Sequence, residues 1–194
     1  PTPTHGQPGA GSFTIACSTH IKATPRTCLE VLLKASEYPT WNRYCRKCII
    51  DAQPDGNQPK DKYDKNLFLH LGTKFTFHVH MHPLSEDSSA RNTALKVSRL
   101  ERIDEFLQLR RTGFRIAWKT RPTAFMPSWM LRCERVQEFV EVHPPLGTLD
   151  EPETAYQCWE TFYGVLAPVV KAAAGSQIVR GFDVWMEGLK KRAE

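Results

Sequence analysis

The sequence predicts an α+β fold in which an antiparallel sheet grips one long C-terminal helix. Three observations predict it. Segments with two-residue apolar alternation follow one another through the middle of the chain. Helical patterning interrupts them only near the start. The end of the chain then carries Ile178, Phe182, Trp185 and Leu189 at three- and four-residue steps. Strands grouped in this way, rather than alternating with helices, form an antiparallel sheet, and the apolar final helix is its natural cover. Room for a small apolar molecule remains between the two layers wherever the facing side chains do not fill it.

The elements follow in order. Residues 12–21 alternate, with Phe13, Ile15, Cys17 and Thr19 on one face. Thr24 can cap a helix and Pro25 suits its first position, and Cys28, Leu29, Val31, Leu32 and Leu33 supply a buried stripe through about residue 35. The run Tyr38-Pro39-Thr40-Trp41-Asn42 is expected to stop regular helix, because the residue before a proline avoids the helical region. A second strand fits residues 44–51, and residues 51–64 carry turn chemistry. The clearest strand region is 67–81. There Phe75, Phe77, Val79 and Met81 share one face, while Thr76, His78, His80 and His82 share the other. Further strands are expected at 93–103, around Phe114, Ile116 and Trp118, at 129–142 and at 154–162, with loops at 121–127 and 143–152. Pro168 belongs in a first helical turn, which places the start of the last helix near Gly164, and Gly175-Ser176 is a possible kink.

The chain has 194 residues, enough for one domain that buries its own core. We read residues 1–11, rich in Pro, Gly and Thr, as a flexible N-terminal arm, and residues 12–194 as the domain. No apolar run is long enough to span a membrane, and the N-terminal residues lack the apolar stretch of a signal peptide. Six cysteines scattered through strands and helices suggest reduced thiols in a cytoplasmic, intracellular setting. Cys45-Arg-Lys-Cys48 has the spacing of half a zinc site but has no second pair, so no metal site is assigned. The net charge of +5 arises from 26 Lys and Arg against 21 Asp and Glu, mixed along the chain. No basic stripe interleaved with aromatics is present, so no nucleic-acid partner is expected. Phosphate loops, nucleophile elbows and dinucleotide fingerprints are absent too, and no cofactor is assigned. Oligomeric state is not legible.

Several segments carry a family resemblance: residues 18–33 (STHIKATPRTCLEVLL), Tyr38-Pro39-Thr40-Trp41-Asn42, Arg115-Ile116-Ala117-Trp118, the stretch from Glu160 to Gly164, and the ending from Gly181 to Lys190. In this order and spacing they resemble the START-like/Bet v 1-like superfamily (SRPBCC), in particular its polyketide cyclase/dehydrase-like branch. The resemblance spans roughly residues 12–194. It implies the helix-grip architecture, a curved antiparallel sheet wrapped around the long C-terminal helix, with a cavity for an apolar ligand. Relatives include polyketide cyclases as well as lipid, sterol and quinone carriers, so the fold does not fix the function.

Candidate residues follow from the two layers. The expected ligand-facing set is Trp41, Phe75, Phe77, Val79, Met81, Phe114, Ile116, Trp118, Phe182 and Trp185. Candidates for proton transfer are Glu160, Tyr156, His78 and His80. Glu160 lies on a mixed strand face that can border a cavity. Burial would raise its pKa toward neutrality and let it take a proton from a carbon flanked by carbonyls. The favoured alternative is an ion pair with Arg135, Arg132 or a lysine at the sheet end. The histidine row has three readings: an exposed or structural face, an acid–base group, or metal ligands. The more apolar opposite face favours the first.

Two functions lead, ahead of a third and weaker one, an interaction module that meets a protein or metal with the histidine-rich face. One is an enzyme of small-molecule biosynthesis that directs cyclisation, dehydration or isomerisation of a polyketide- or terpenoid-like molecule. The other is a non-catalytic carrier or chaperone for a lipid, sterol or quinone. A carrier predicts an almost wholly apolar cavity wall, and an enzyme predicts at least two titratable groups converging inside it.

Overall fold

The computed structural model describes residues 13–54, 68–86, 89–105, 111–142 and 153–194. The expected arm at 1–11, the loop at 143–152 and most of the polar insert at 51–64 lie outside the described residues.

Seven strands form one antiparallel sheet: β1 (Phe13–Ile21), β2 (Cys45–Ala52), β3 (Lys74–His80), β4 (Ala90–Glu105), β5 (Arg111–Thr120), β6 (Arg132–Val142) and β7 (Glu153–Tyr163). Their spatial order is β1-β7-β6-β5-β4-β3-β2, so the first two strands occupy opposite edges. The segment joining those edges holds α1 (Pro25–Leu33), a 3₁₀ turn (Ala35–Glu37) and α2 (Tyr38–Trp41). The single helix α3 (Ala167–Ala193) packs against β1 and α1, giving the α+β helix-grip architecture.

Local chemistry explains most boundaries. Thr24 caps α1, its hydroxyl accepting from the Thr27 amide at 3.1 Å, and proline stands in the first turn. Lys190, Lys191 and Arg192 lie in the last turn of α3, where cations meet the negative pole of the helix dipole. Gly164 turns the chain from β7 toward α3 with φ +98°. A Cβ there would also press within 2.5 Å of the Met130 carbonyl, so both backbone and space require glycine.

Three expectations are corrected. Residues 38–41 form a helical turn: Tyr38 takes helical angles although it precedes Pro39, and its hydroxyl donates to the Leu32 carbonyl at 2.9 Å in a fully buried setting. Tertiary packing here outweighs the local steric bias. The last helix begins at Ala167 instead of near Gly164, and it runs through Gly175 and Ser176 as one element. The strand expected over 67–81 is confined to Lys74–His80, which leaves Met81 and His82 in a bend beyond its end.

The core lies between sheet and α3. One end is filled by Tyr38, Trp41, Phe75, Phe77, Trp118 and Trp185, whose rings meet edge to face or tilted at 4.9–6.0 Å between centroids. On the outer face of the sheet, Ala117, Val136 and Trp159 make a smaller buried cluster.

Candidate functional site

Alternation along β6 turns Cys133, Arg135, Gln137 and Phe139 toward α3, and along β7 it turns Tyr156, Cys158, Glu160 and Phe162 the same way. The β6–β7 register sets Arg135 opposite Glu160 and Gln137 opposite Cys158. The β1–β7 register sets Ile15 opposite Glu160 and Cys17 opposite Cys158. A polar patch therefore sits on the floor of an otherwise apolar grip.

Beside this patch lies a cavity of about 250 Å³. Its helix side is Val170, Ala174 and Ile178. Its sheet side includes Cys45, Phe77, Val79, Thr93, Leu95, Trp118, Cys133 and Phe162, with Tyr44, Met81 and Leu131 completing much of the apolar wall. Arg135 and Glu160 are wall residues as well.

Arg135 is 4% exposed. Its guanidinium carbon lies 4.1 Å from the ring centres of both Phe182 and Trp185, and its Nε donates to Cys158 Sγ at 3.2 Å. Nη2 is buried without a hydrogen-bond partner. The aromatic faces and a soft sulfur acceptor hold the cation without neutralising it by a carboxylate. Burial acts to raise the Cys158 pKa, but hydrogen bonding with Cys17 and the charge of Arg135 outweigh it and bring the thiol down to about 6. The same hydrogen bond, with burial, pushes the Cys17 thiol up.

Glu160 reaches the cavity and is only partly accessible. Although Arg135 is its cross-strand neighbour, no ion pair or hydrogen bond to Glu160 forms among the described residues. The expected salt-bridge role with Arg135 or Arg132 is thus replaced by a longer-range interaction. Burial raises the Glu160 pKa to about 7, with Arg135 pulling in the opposite direction. A carboxyl raised by burial therefore stands beside a fixed cation on the same wall of a small, mostly apolar cavity.

The other candidates fall elsewhere. Phe77, Val79, Met81 and Trp118 border the cavity. Trp41, Phe75, Phe114, Ile116, Phe182 and Trp185 do not. They pack in the aromatic and aliphatic core, because at this end the facing side chains are large enough to fill the grip. Tyr156 is fully buried, donates to Gln137 Oε1 at 2.6 Å and packs on Phe139, away from the cavity wall. Burial pushes its hydroxyl pKa well up. The pairing of β3 with β4 runs without a bulge, so His78 and His80 stay on the face opposite Phe77 and Val79 and do not border the cavity. Cys45 and Cys48 share the inner side of β2 because its register with β3 shifts between Cys45 and Lys47. Among the described residues, no group of three or more His, Cys, Asp and Glu gathers as a metal site.

Arg135 was legible in the sequence as a possible ion-pair partner of Glu160, but its place in the cavity wall was not. Both faces of β6 mix apolar and charged residues, which hid its orientation. The usable signal was that Cys133 and Phe139 lie two and four residues away, on its own face.

The seven-stranded sheet closed on one C-terminal helix, with a cavity between them, is the fold of the START/Bet v 1-like superfamily. By sequence, the chain belongs to the family of the oxopyrrolidines biosynthesis cluster protein O of Penicillium oxalicum, 32% identical over 159 residues that cover 81% of this chain and 75% of that protein. No family model matches the chain. Among solved structures, a hypothetical protein of Helicobacter pylori superposes with a TM-score of 0.60 at 14% identity, covering 96% of this chain and 91% of that one. A START superfamily protein of Mycobacterium smegmatis gives 0.54 at 14% identity, covering 93% and 99%. The di-domain ARO/CYC of the steffimycin biosynthetic pathway gives 0.51 at 11% identity, with 93% of this chain spanning 49% of that one. No described helix is long and apolar enough to cross a membrane.

Proposed function

We propose that this protein binds a small, mostly apolar, carbonyl-bearing molecule and directs its cyclisation, dehydration or isomerisation in a biosynthetic pathway, with Glu160 moving the proton. The observation that carries this reading is the unpaired Glu160 carboxyl facing Arg135 in the cavity wall. A carrier needs neither group, and a carboxyl is costly to bury without a partner. The relative named for oxopyrrolidine biosynthesis supports a small-molecule pathway and a substrate that bears a carbonyl. The cavity volume lies below the usual range of roughly 300–1,000 Å³ for ligand pockets, which favours a compact substrate.

The chemistry balances with these residues alone. The Glu160 carboxylate takes a proton from the carbon next to a carbonyl, and the released electron pair moves onto the carbonyl oxygen. Arg135 faces that developing negative charge with a cation fixed in advance by Phe182, Trp185 and Cys158. Return of the proton to a different carbon completes an isomerisation. Attack of the enolate carbon on a second carbonyl closes a ring, the new alkoxide taking the proton back from the Glu160 acid. The regenerated carboxylate then removes a second α-proton and delivers it to the departing hydroxyl, which completes a dehydration. The apolar wall holds one conformer and excludes water.

The test is conversion of a β-dicarbonyl substrate by purified protein, with Glu160→Gln alongside. The expected result is retained binding with product formation reduced by roughly 10²–10⁴-fold, the usual range for a lost acid–base group. Unchanged turnover would remove Glu160 from the mechanism. Retained ligand, identified by mass spectrometry, with no conversion by either protein would instead support the carrier reading.

A further inference from the structure

The cavity wall holds two guanidiniums and a single acid. Alternation along β4 turns Arg91, Thr93 and Leu95 to the inner face, where all three border the cavity. The β3–β4 register sets Arg91 opposite Val79, another wall residue. Arg91 is exposed and so stands at the mouth. Arg135 stands inside. It lies opposite Trp118 of β5, which in turn lies opposite Val97 of β4. Six residues of β4, about 20 Å of strand, separate Val97 from Arg91. The two cations therefore border one cavity at two levels, one deep and one at the rim.

Neither is matched by a carboxylate. Among the described residues Arg91 has no hydrogen-bond or ion-pair partner, and Arg135 keeps Nη2 buried without one. Glu160 is the one acid among the wall residues, and burial favours its neutral form. On the helix side the wall ends at Ile178, and α3 reaches its first acid only at Asp183. The connection from β3 to β4 carries Glu86 and Asp87, the second outside the described residues. Arg46 stands against that connection, its guanidinium donating to the Pro83, Ser85 and Glu86 carbonyls.

Charge in a wall is best offset by charge in the ligand. A neutral ligand would leave the inner cation without a counter-charge in a mostly apolar space, whereas an anionic one supplies it. The planar fork of Arg91 matches the two oxygens of a carboxylate, and Thr93 adds a hydroxyl to the same stretch of wall.

We propose that the ligand is a keto acid, whose carboxylate pairs with Arg91 at the mouth while its carbonyl accepts from Arg135 inside. This names a substrate class for the proton transfer proposed above and rests on that reading of the cavity.

The test is calorimetric titration of the full chain with γ-oxodecanoic acid and with its methyl ester, which share the ketone and differ in charge. The acid should bind about three- to ten-fold more tightly than the ester, roughly what one charge-assisted pair near solvent supplies. The preference should shrink as salt is added. Arg91→Met should bring the acid down to the level of the ester, and Arg91→Lys should restore part of the difference. Both variants should keep the parent's unfolding midpoint, since the side chain is exposed. Equal binding of acid and ester by the parent would overturn the proposal. So would failure to bind the acid, or a preference that survives in Arg91→Met. The two readings fail apart: a preference for the acid without Glu160-dependent conversion removes only the proton transfer. Conversion of a neutral β-dicarbonyl without that preference removes only the role of Arg91.

Discussion

Glu160 places a carboxyl where its charged form is poorly solvated, and this has a consequence for stability. Its native pKa, about 7, lies above the ordinary carboxyl value of 4.5 that it recovers on unfolding. Below about pH 4.5 both states hold the proton and the site is neutral to stability. As pH rises toward 7 the unfolded chain releases the proton while the native state retains it, so stability falls, reaching a floor above the native pKa. The loss is on the order of 3 kcal/mol, from about 1.4 kcal/mol per pKa unit. Glu160→Gln should therefore match the parent in urea unfolding near pH 4.5 and exceed it near pH 8. A difference that does not vary with pH would mean that the carboxyl is not raised by burial. Arg135 gives a second reading of the same pair. Replacing it with Met, which fills similar space without a charge, removes the cation that pulls both Glu160 and Cys158 down. The acidic limb of a pH–rate profile, which reports ionisation of the Glu160 base, should move to higher pH. Glu160 was legible as a candidate because its strand face is mixed. Arg135 was legible only as a possible ion-pair partner of Glu160; its inward orientation was not, because Glu134 and Arg135 alternate on a strand whose two faces are both mixed.

At the scale of elements, alternation made the strands legible wherever one face was clearly apolar. On β3 it also separated the histidines correctly from Phe77 and Val79, and no bulge reversed the faces in its pairing with β4. It was less informative where pairing shifts register, as on β2 and at Val97/Arg99 of β4, since a bulge is written in three-dimensional packing instead of residue type. The turn of α2 was missed for a related reason: burial of Tyr38 decides it. The close approach of α3 to the start of β2 carries a prediction. A Cβ on Gly181 would lie 2.2 Å from the Tyr44 ring, and Tyr44 borders the cavity. Gly181→Ala must displace that ring, and the cavity is the open space beside it. The expected outcome is a fold destabilised by about 1–3 kcal/mol, the usual cost of overpacking, together with weaker ligand binding. Binding that is unchanged in a folded Gly181→Ala protein would show that the ring yields in another direction.

Across the whole molecule, the grip divides into a packed end and an open one. Rings of Tyr38, Trp41, Phe75, Phe77, Trp118 and Trp185 fill the first, while smaller residues such as Ala174, Thr93 and Cys133 line the second. The layers and the order of elements could be read from the sequence. This division could not, because it depends on which large side chains meet across the layers. The two ends should therefore respond oppositely to substitution. Trp185→Ala opens a void in the packed end and should cost about 3–5 kcal/mol. Ala174→Leu extends an apolar side chain into existing space, so it should leave stability unchanged or raise it by up to about 2 kcal/mol, the typical yield of cavity filling. The same substitution should abolish ligand binding and any conversion, because the volume it occupies belongs to the ligand. Thermal unfolding with and without ligand separates the cases: the parent midpoint should rise with ligand, and that of Ala174→Leu should not. A ligand-dependent rise that survives in Ala174→Leu would place the binding site outside this cavity.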